Sequence, residues 1–83
     1  MNVMMISQEI EDMKPVMKEF ITELGYTEEQ GTKFSEGYIK VLSNFPTMKK
    51  IQALSEMDDE CMSAGFINAE IDENEALNKF NQE

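Results

Sequence analysis

The chain has 83 residues and a formal net charge of −10, and it contains no histidine, no arginine and a single cysteine. The missing histidine removes the commonest general base and metal ligand, and the missing arginine removes the side chain best suited to clamping phosphates and reading bases. Seven lysines against seventeen acidic residues are the reverse of a basic stripe, so we expect no direct nucleic-acid binding. No nucleophile–base pair, metal-ligand spacing or glycine-rich phosphate loop is visible, so we expect neither enzymatic activity nor a cofactor.

The same features bear on the compartment. A single cysteine cannot form an internal disulfide, which suits a reducing compartment. The N-terminal residues lack the basic residue of a secretory signal, and no apolar run approaches the length of a membrane span. We therefore expect a cytoplasmic protein with no membrane association.

The first predicted helix carries an apolar stripe at alternating spacings of three and four residues. The stripe consists of Ile6, Ile10, Met13, Met17, Phe20 and Leu24, with Ile21 widening it. Pro15 interrupts this run, and a proline inside a helix costs about 3 kcal/mol, whereas one in the first turn is tolerated. We expect either a kink near Pro15, which the unbroken stripe favours, or a helix that starts at Asp12. Residues 1–6 are predicted to be a flexible N-terminus, and Gly25 to end the helix as its C′ residue.

The second helix is predicted over residues 28–43, because Thr27 and Gln30 have the spacing of a capping box. Its apolar face consists of Phe34, Tyr38, Val41, Leu42 and Phe45. Gly31 and Gly37 flank that face, where the missing side chains would let another helix approach closely. Ile39 points away from the face, which makes it a candidate for a contact surface.

The third helix is predicted to begin near Thr47 and to end or bend at Gly65. Asp58 falls inside the apolar arc of this helix, which is an unfavourable place for a charge. A break at Ser55 or Asp58 would remove the conflict, because either residue could cap a new helix with acidic residues in its first turn.

The last part of the chain is predicted to add one short helix. Residues 66–71 are ambiguous between helix and linker. Asp72 and Glu75 have the spacing of a second capping box, and Ala76, Leu77 and Phe80 would then face inward. The whole pattern predicts one all-α domain over residues 1–83, a small bundle of three long antiparallel helices plus a short C-terminal fourth.

Acidic residues are concentrated at the C-terminal end. Residues 56–83 contain nine acids and one lysine, and so carry eight of the ten net negative charges (9 − 1 = 8). Apolar residues alternate with these acids at helical spacing, so we expect the charges to lie on folded helices. The candidate partner-binding residues are Glu56, Asp59, Glu60, Asp72, Glu73 and Glu75. The alternative is a solvated face that keeps a small protein soluble.

No metal site is predicted from these acids. An EF-hand loop read from Asp72 would place Ala76 and Leu77 where the loop needs an oxygen ligand and a turn glycine. Cys61 lies among acidic residues, and the chain offers no histidine to activate it, so we expect a core residue and not a nucleophile.

Apolar residues suggest two further surfaces. Met13, Met17, Met48, Met57 and Met62 lie at or near apolar stripes and could line an adaptable binding groove, although core filling is the commoner role of methionine. A possible oligomer surface consists of Met4, Ile6, Ile10 and Ile39.

These patterns predict a small acidic, non-enzymatic binding protein that modulates or inhibits a partner protein with a basic surface. One such partner is a host nucleic-acid enzyme whose cationic groove the carboxylates would occupy in place of phosphates, as an accessory inhibitor from a phage or mobile element would do. The alternative is a self-associating structural or ligand-sequestering helical module, because so short a chain has a thin core.

Overall fold

The computed structural model describes the backbone of residues 3–81 and the side chains of residues 7–81, and it is entirely helical with no strand in that range. Its helices are α1 (Val3–Glu23), α2 (Glu28–Leu42), α3 (Thr47–Ser55), α4 (Asp59–Asn68) and α5 (Glu73–Asn81). The all-α prediction is confirmed. The predicted number of helices is wrong, since the described residues form five. No helix within residues 3–81 combines the length and the apolar composition needed to cross a membrane.

The extra helix arises because the predicted third helix is broken at Asp58. The Asp58 carboxylate accepts a hydrogen bond from the Cys61 N–H at 3.0 Å and so caps α4. This is one of the two predicted break points, and it takes Asp58 out of the apolar arc. Gly65 does not end the segment, because α4 continues to Asn68, and the alternative of a bend at Gly65 stays a prediction. Of the ambiguous stretch, residues 66–68 are helical and residues 69–72 form the turn to α5.

Pro15 lies inside α1, which runs as one helix from Val3. The alternative of a helix starting at Asp12 is therefore wrong, and residues 3–6 belong to the first turns of α1 rather than preceding it. The lost hydrogen bond at proline is offset by burial of the stripe that follows, where Met17 and Ile21 are fully buried. The kink near Pro15 and the flexibility of the N-terminus stay predictions.

The connection between α1 and α2 has the motifs that the local sequence predicts, whereas the motif that ends α4 was not predicted. Gly25 has φ +100° and ends α1 in a Schellman motif, with the Tyr26 N–H donating to the Ile21 carbonyl at 3.3 Å. Thr27 and Gln30 make both hydrogen bonds of the capping box. Glu70 ends α4 in the same motif with φ +58°, a left-handed conformation that is unusual for a residue with a side chain.

The core lies between α2 and its two main neighbours, α4 and α1. Its buried apolar residues are Met17, Ile21, Leu24, Phe34, Tyr38, Leu42, Ala53, Cys61, Phe66, Ala69, Ile71 and Ala76. Glycines bring α2 and α4 into backbone contact, because a Cβ on Gly37 would lie 2.7 Å from the Ala64 carbonyl oxygen. Gly65 faces Phe34 in the same interface. The helices α3 and α5 therefore lie at the edges of a tightly packed central pair.

Candidate docking surface

The six carboxylates predicted to bind a partner lie at two places in the fold. Glu56, Asp59 and Glu60 surround the junction between α3 and α4, and Asp72, Glu73 and Glu75 stand at the start of α5. All of them are exposed except Glu73, which is half-buried. The structure therefore leaves most of them accessible, but the two groups differ in what their neighbours do.

The carboxylates at the start of α5 are engaged locally. Asp72 Oδ1 accepts the Glu75 N–H at 3.1 Å, which is one half of the predicted capping box. Glu73 Oε1 accepts a hydrogen bond from Ser63 Oγ at 2.8 Å and ties α5 to α4. Glu75 Oε1 lies 3.5 Å from Lys79 Nζ. This group mainly holds α5 in place and satisfies its N-terminus.

The carboxylates at the α3–α4 junction have fewer hydrogen bonds and ion pairs with neighbouring residues. Glu60 forms an exposed ion pair with Lys49 at 3.9 Å, a type of contact that contributes little to stability. Glu56 and Asp59 form no ion pair and no side-chain hydrogen bond with any described residue. These two carboxylates are therefore available to a partner.

Tyr38 holds this junction from the core side. Its hydroxyl donates to the Ala53 carbonyl at 2.8 Å and accepts the Asp58 N–H at 3.1 Å. It therefore joins the end of α3 to the start of α4, and burial raises the pKa of Tyr38 above its ordinary value. Cys61 is fully buried beside it, which confirms the core assignment, and burial followed by the nearby Asp58 raises the pKa of its thiol to about 12.

An apolar groove of about 520 Å³ opens between α1, the start of α4 and α5. We call it the methionine groove, and it is lined by Met13, Val16, Met17, Phe20, Met57, Asp59, Met62, Leu77, Phe80 and Asn81. Val16, Phe80 and Met57 are 54%, 53% and 43% exposed, so its surface is open to solvent. The rings of Phe20 and Phe80, which both line it, meet edge to face at 5.7 Å.

Two smaller depressions share lining residues with the methionine groove. One of about 350 Å³ shares Met13 and is lined also by Glu9, Asp12, Ile51, Leu54 and Ser55. The other, of about 200 Å³, shares Met57 and Asp59 and is lined also by Gln52, Ala53, Glu56 and Asp58. We call the three together the acidic trough.

All the charged residues that line the acidic trough are acidic. Its lining includes the acidic residues Glu9, Asp12, Glu56, Asp58 and Asp59, and it includes no lysine. Lysines that belong to α1, Lys14 and Lys18, line depressions beside Pro15 instead, and acidic residues accompany them there. Among these depressions, only those of the acidic trough combine apolar lining residues with acidic residues and no lysine.

Sequence reasoning found part of this surface. Four of the five methionines proposed for a groove line it, whereas Met48 is 79% exposed elsewhere on α3. Val16 was missed, although it lies three residues after Met13 and four before Phe20, the spacing of a helix face. Phe80 was expected to point inward and is instead half-exposed, because α5 covers only the edge of the core.

The predicted oligomer surface is placed only in part. Ile10 and Ile39 are half-buried and pack against the core, so neither projects freely. The side chains of Met4 and Ile6 lie outside the described residues. Self-association through these four residues stays a prediction.

No group of acidic or cysteine side chains within the described part of the chain is arranged to hold a metal ion. Comparison with protein-family models, curated proteins and solved structures finds no match to this chain.

Proposed function

We propose that the protein is a small, non-enzymatic cytoplasmic binding module that engages a basic partner protein through the acidic trough and so modulates or inhibits that partner. The observation that carries the proposal is the lining of the trough, in which an apolar floor lies beside five acidic residues and no lysine. Specific interfaces combine an apolar centre with a polar rim in this way.

The two components of the trough contribute differently to binding. Exposed apolar side chains such as Val16, Met57 and Phe80 release water when a partner covers them, which supplies affinity. Methionine is flexible and polarizable, so the floor can fit partners of somewhat different shape. The carboxylates attract a basic partner and repel acidic ones, which favours fast and selective association.

A host nucleic-acid enzyme is the partner class that we favour. Such enzymes have cationic grooves that attract phosphates, and carboxylates on a small folded protein can occupy a groove of that kind. Glu56 and Asp59 support this role, because the described residues leave their charges unpaired.

The proposal is tested by capturing partners from a bacterial lysate with immobilised protein at increasing salt. The wild type is compared with the double variant Glu56→Gln/Asp59→Asn and with the control Glu19→Gln/Glu36→Gln. The control pair is exposed and lies outside the acidic trough, and it removes the same amount of charge. We expect the trough variant to lose the captured protein at lower salt than the control does. Equal capture by both variants, or capture that does not weaken with salt, would contradict the proposal.

Self-association is the second candidate function, and the exposed apolar side chains of the methionine groove favour it. The like charges that line the trough oppose it, because a second copy would bring carboxylates against carboxylates. Light scattering at the concentrations of the capture assay separates the two functions, since a strictly monomeric protein removes the second.

A further inference from the structure

The acidic trough follows one face of α1 for about three helical turns. The residues of α1 that line it are Glu9, Asp12, Met13, Val16, Met17 and Phe20. From the first to the last the helix rises about 16 Å, at about 1.5 Å per residue. These residues form two rows at spacings of four, one running from Glu9 through Met13 and the other from Asp12 through Val16. Rows of this kind are what a second helix packs against, by inserting its own side chains between them.

The opposite side of the trough is a second apolar wall. Its apolar residues belong to α3, α4, α5 and the α3–α4 junction, and they are Ile51, Leu54, Met57, Met62, Leu77 and Phe80; the polar residues Ser55, Asp59 and Asn81 line the same side. A segment lying along α1 would therefore contact apolar side chains on both sides. An elongated groove with two apolar walls is the usual receptor for the apolar face of an amphipathic helix.

The charges indicate what the rest of that helix carries. Glu9 and Asp12 line the depression beside Ile51 and Leu54, Asp59 lines the methionine groove, and Glu56 lines the depression that shares Asp59 with that groove. A helix whose apolar face is in the trough brings its flanking residues next to these carboxylates, so lysine or arginine at those positions is favoured. A second copy of this chain does not meet that requirement, because its net charge is −10.

We infer that the acidic trough binds a basic amphipathic helix of the partner, with its apolar face along α1 and its cationic residues beside Glu9, Asp12, Glu56 and Asp59. This inference rests on the proposed function and specifies the part of the partner that is bound. A small apolar ligand, a second copy and a basic surface without a helix are the competing occupants.

The test uses two synthetic peptides of about four helical turns with the same leucine and lysine content. In the first, leucines repeat at i, i+3, i+4, i+7 and i+11, so that they form one face; in the second, the same leucines are spread around the helix. Binding to the wild-type protein is measured by isothermal titration calorimetry. We expect the first peptide to bind at least about tenfold more tightly, because only it can place its leucines between the two apolar walls. Equal affinities would overturn the inference.

Variants of the protein then locate the peptide. Val16→Ser and Met57→Ser are each expected to weaken binding of the first peptide about fivefold, because about half of each side chain is available for burial. Met48→Ser and Ile67→Ser are the matched controls, since these apolar residues are 79% and 77% exposed and do not line the trough. The controls are expected to leave the affinity unchanged. Equal weakening by all four variants would overturn the inference in favour of non-specific adsorption.

Failure of the inference is distinguishable from failure of the proposed function. If Glu56→Gln/Asp59→Asn weakens partner capture while Val16→Ser and Met57→Ser do not, a basic partner binds without a helix in the trough, and only the inference is wrong. If the carboxylate variants have no effect on capture, the proposed function is wrong as well. A wild-type dimer that Val16→Ser dissociates, and with which the peptide does not compete, would assign the trough to a second copy.

Discussion

Replacing Tyr38 by phenylalanine removes one hydroxyl that makes two hydrogen bonds in the core. The Ala53 carbonyl would lose its donor at a residue that is 4% exposed, and the Asp58 N–H would lose its acceptor at a half-buried position. An unpaired buried polar group costs about 1–3 kcal/mol, so one fully buried and one partly buried group together should cost about 3 kcal/mol. The total stability of a domain of this length is roughly 4 to 12 kcal/mol, so the loss is a large fraction of it.

Urea denaturation followed by circular dichroism measures this loss directly. We expect a lower midpoint with an unchanged dependence on urea, and a melting temperature lower by roughly 15 °C. Tyr26→Phe is the matched control, because the Tyr26 hydroxyl is buried without a hydrogen-bond partner among the described residues. Its contact with Lys79, whose Nζ lies 4.1 Å from the ring centroid, survives the change. The control should not lower the stability and, by the same rule, should leave it unchanged or raise it by about 1 kcal/mol, because it removes a buried hydroxyl that has no partner to lose among the described residues. Equal effects of the two substitutions would refute the reasoning.

Three further predictions concern single residues. Glu70→Gly should raise the stability by about 1 kcal/mol, because Glu70 has φ +58° and its charge lies at the negative end of α4. Gly37→Ala should lower it by about 2 kcal/mol or more, because the new Cβ would lie 2.7 Å from a backbone oxygen of α4. Cys61 should resist a thiol reagent at pH 8, where a pKa of about 12 leaves about one thiolate in ten thousand (12 − 8 = 4). The pKa of Cys61 is raised on folding, so its contribution to stability is complete below about pH 9 and is lost as the pH rises toward about 12.

Each of these predictions has an internal control. Glu70→Gln removes the charge and keeps the side chain, so a gain equal to that of Glu70→Gly would show that the backbone conformation is not the cause. Gly25→Ala should cost about 1 kcal/mol through its φ of +100° alone, since open space surrounds its Cβ position, and a cost larger than that of Gly37→Ala would contradict the packing argument. Cys61→Ala should lose stability less steeply above pH 9 than the wild type, and identical slopes would refute the pKa assignment.

The sequence predicted those parts of the fold that neighbouring residues decide. The capping box at Thr27, the C′ glycine at position 25 and the cap at Asp58 each depend on hydrogen bonds within a few residues. The first two were predicted, and Asp58 was one of the two alternatives predicted for a break. Gly65 was misread as a helix end, because a glycine that ends a helix and a glycine that lets another helix approach look alike in a single sequence. Its role follows from Phe34, a residue of a different helix.

The candidate site was only partly predictable for the same reason. Helical spacing identified Met13 and Met17 as members of an apolar face, but not which side of that face the other helices would leave uncovered. The helices α3 and α5 have only nine residues each, and they line different depressions of that face, α3 the one beside Glu9 and Asp12 and α5 the methionine groove. Likewise, the sequence does not show which carboxylates are already hydrogen-bonded within the fold. Glu73 accepts a hydrogen bond from Ser63, whereas Asp59 accepts none from the described residues and lines the methionine groove. Both distinctions require the tertiary arrangement.

The close approach of α2 and α4 at Gly37 has a consequence for how the molecule opens. Amide protons in this pair should exchange with solvent most slowly, and those of α3 and α5 should exchange faster through local unfolding. The two faster helices line the acidic trough together with α1 and the start of α4. A segment bound in the trough would therefore slow amide exchange mainly in α3 and α5. Slower exchange in these two helices would show that the trough is occupied before the identity of any partner is known.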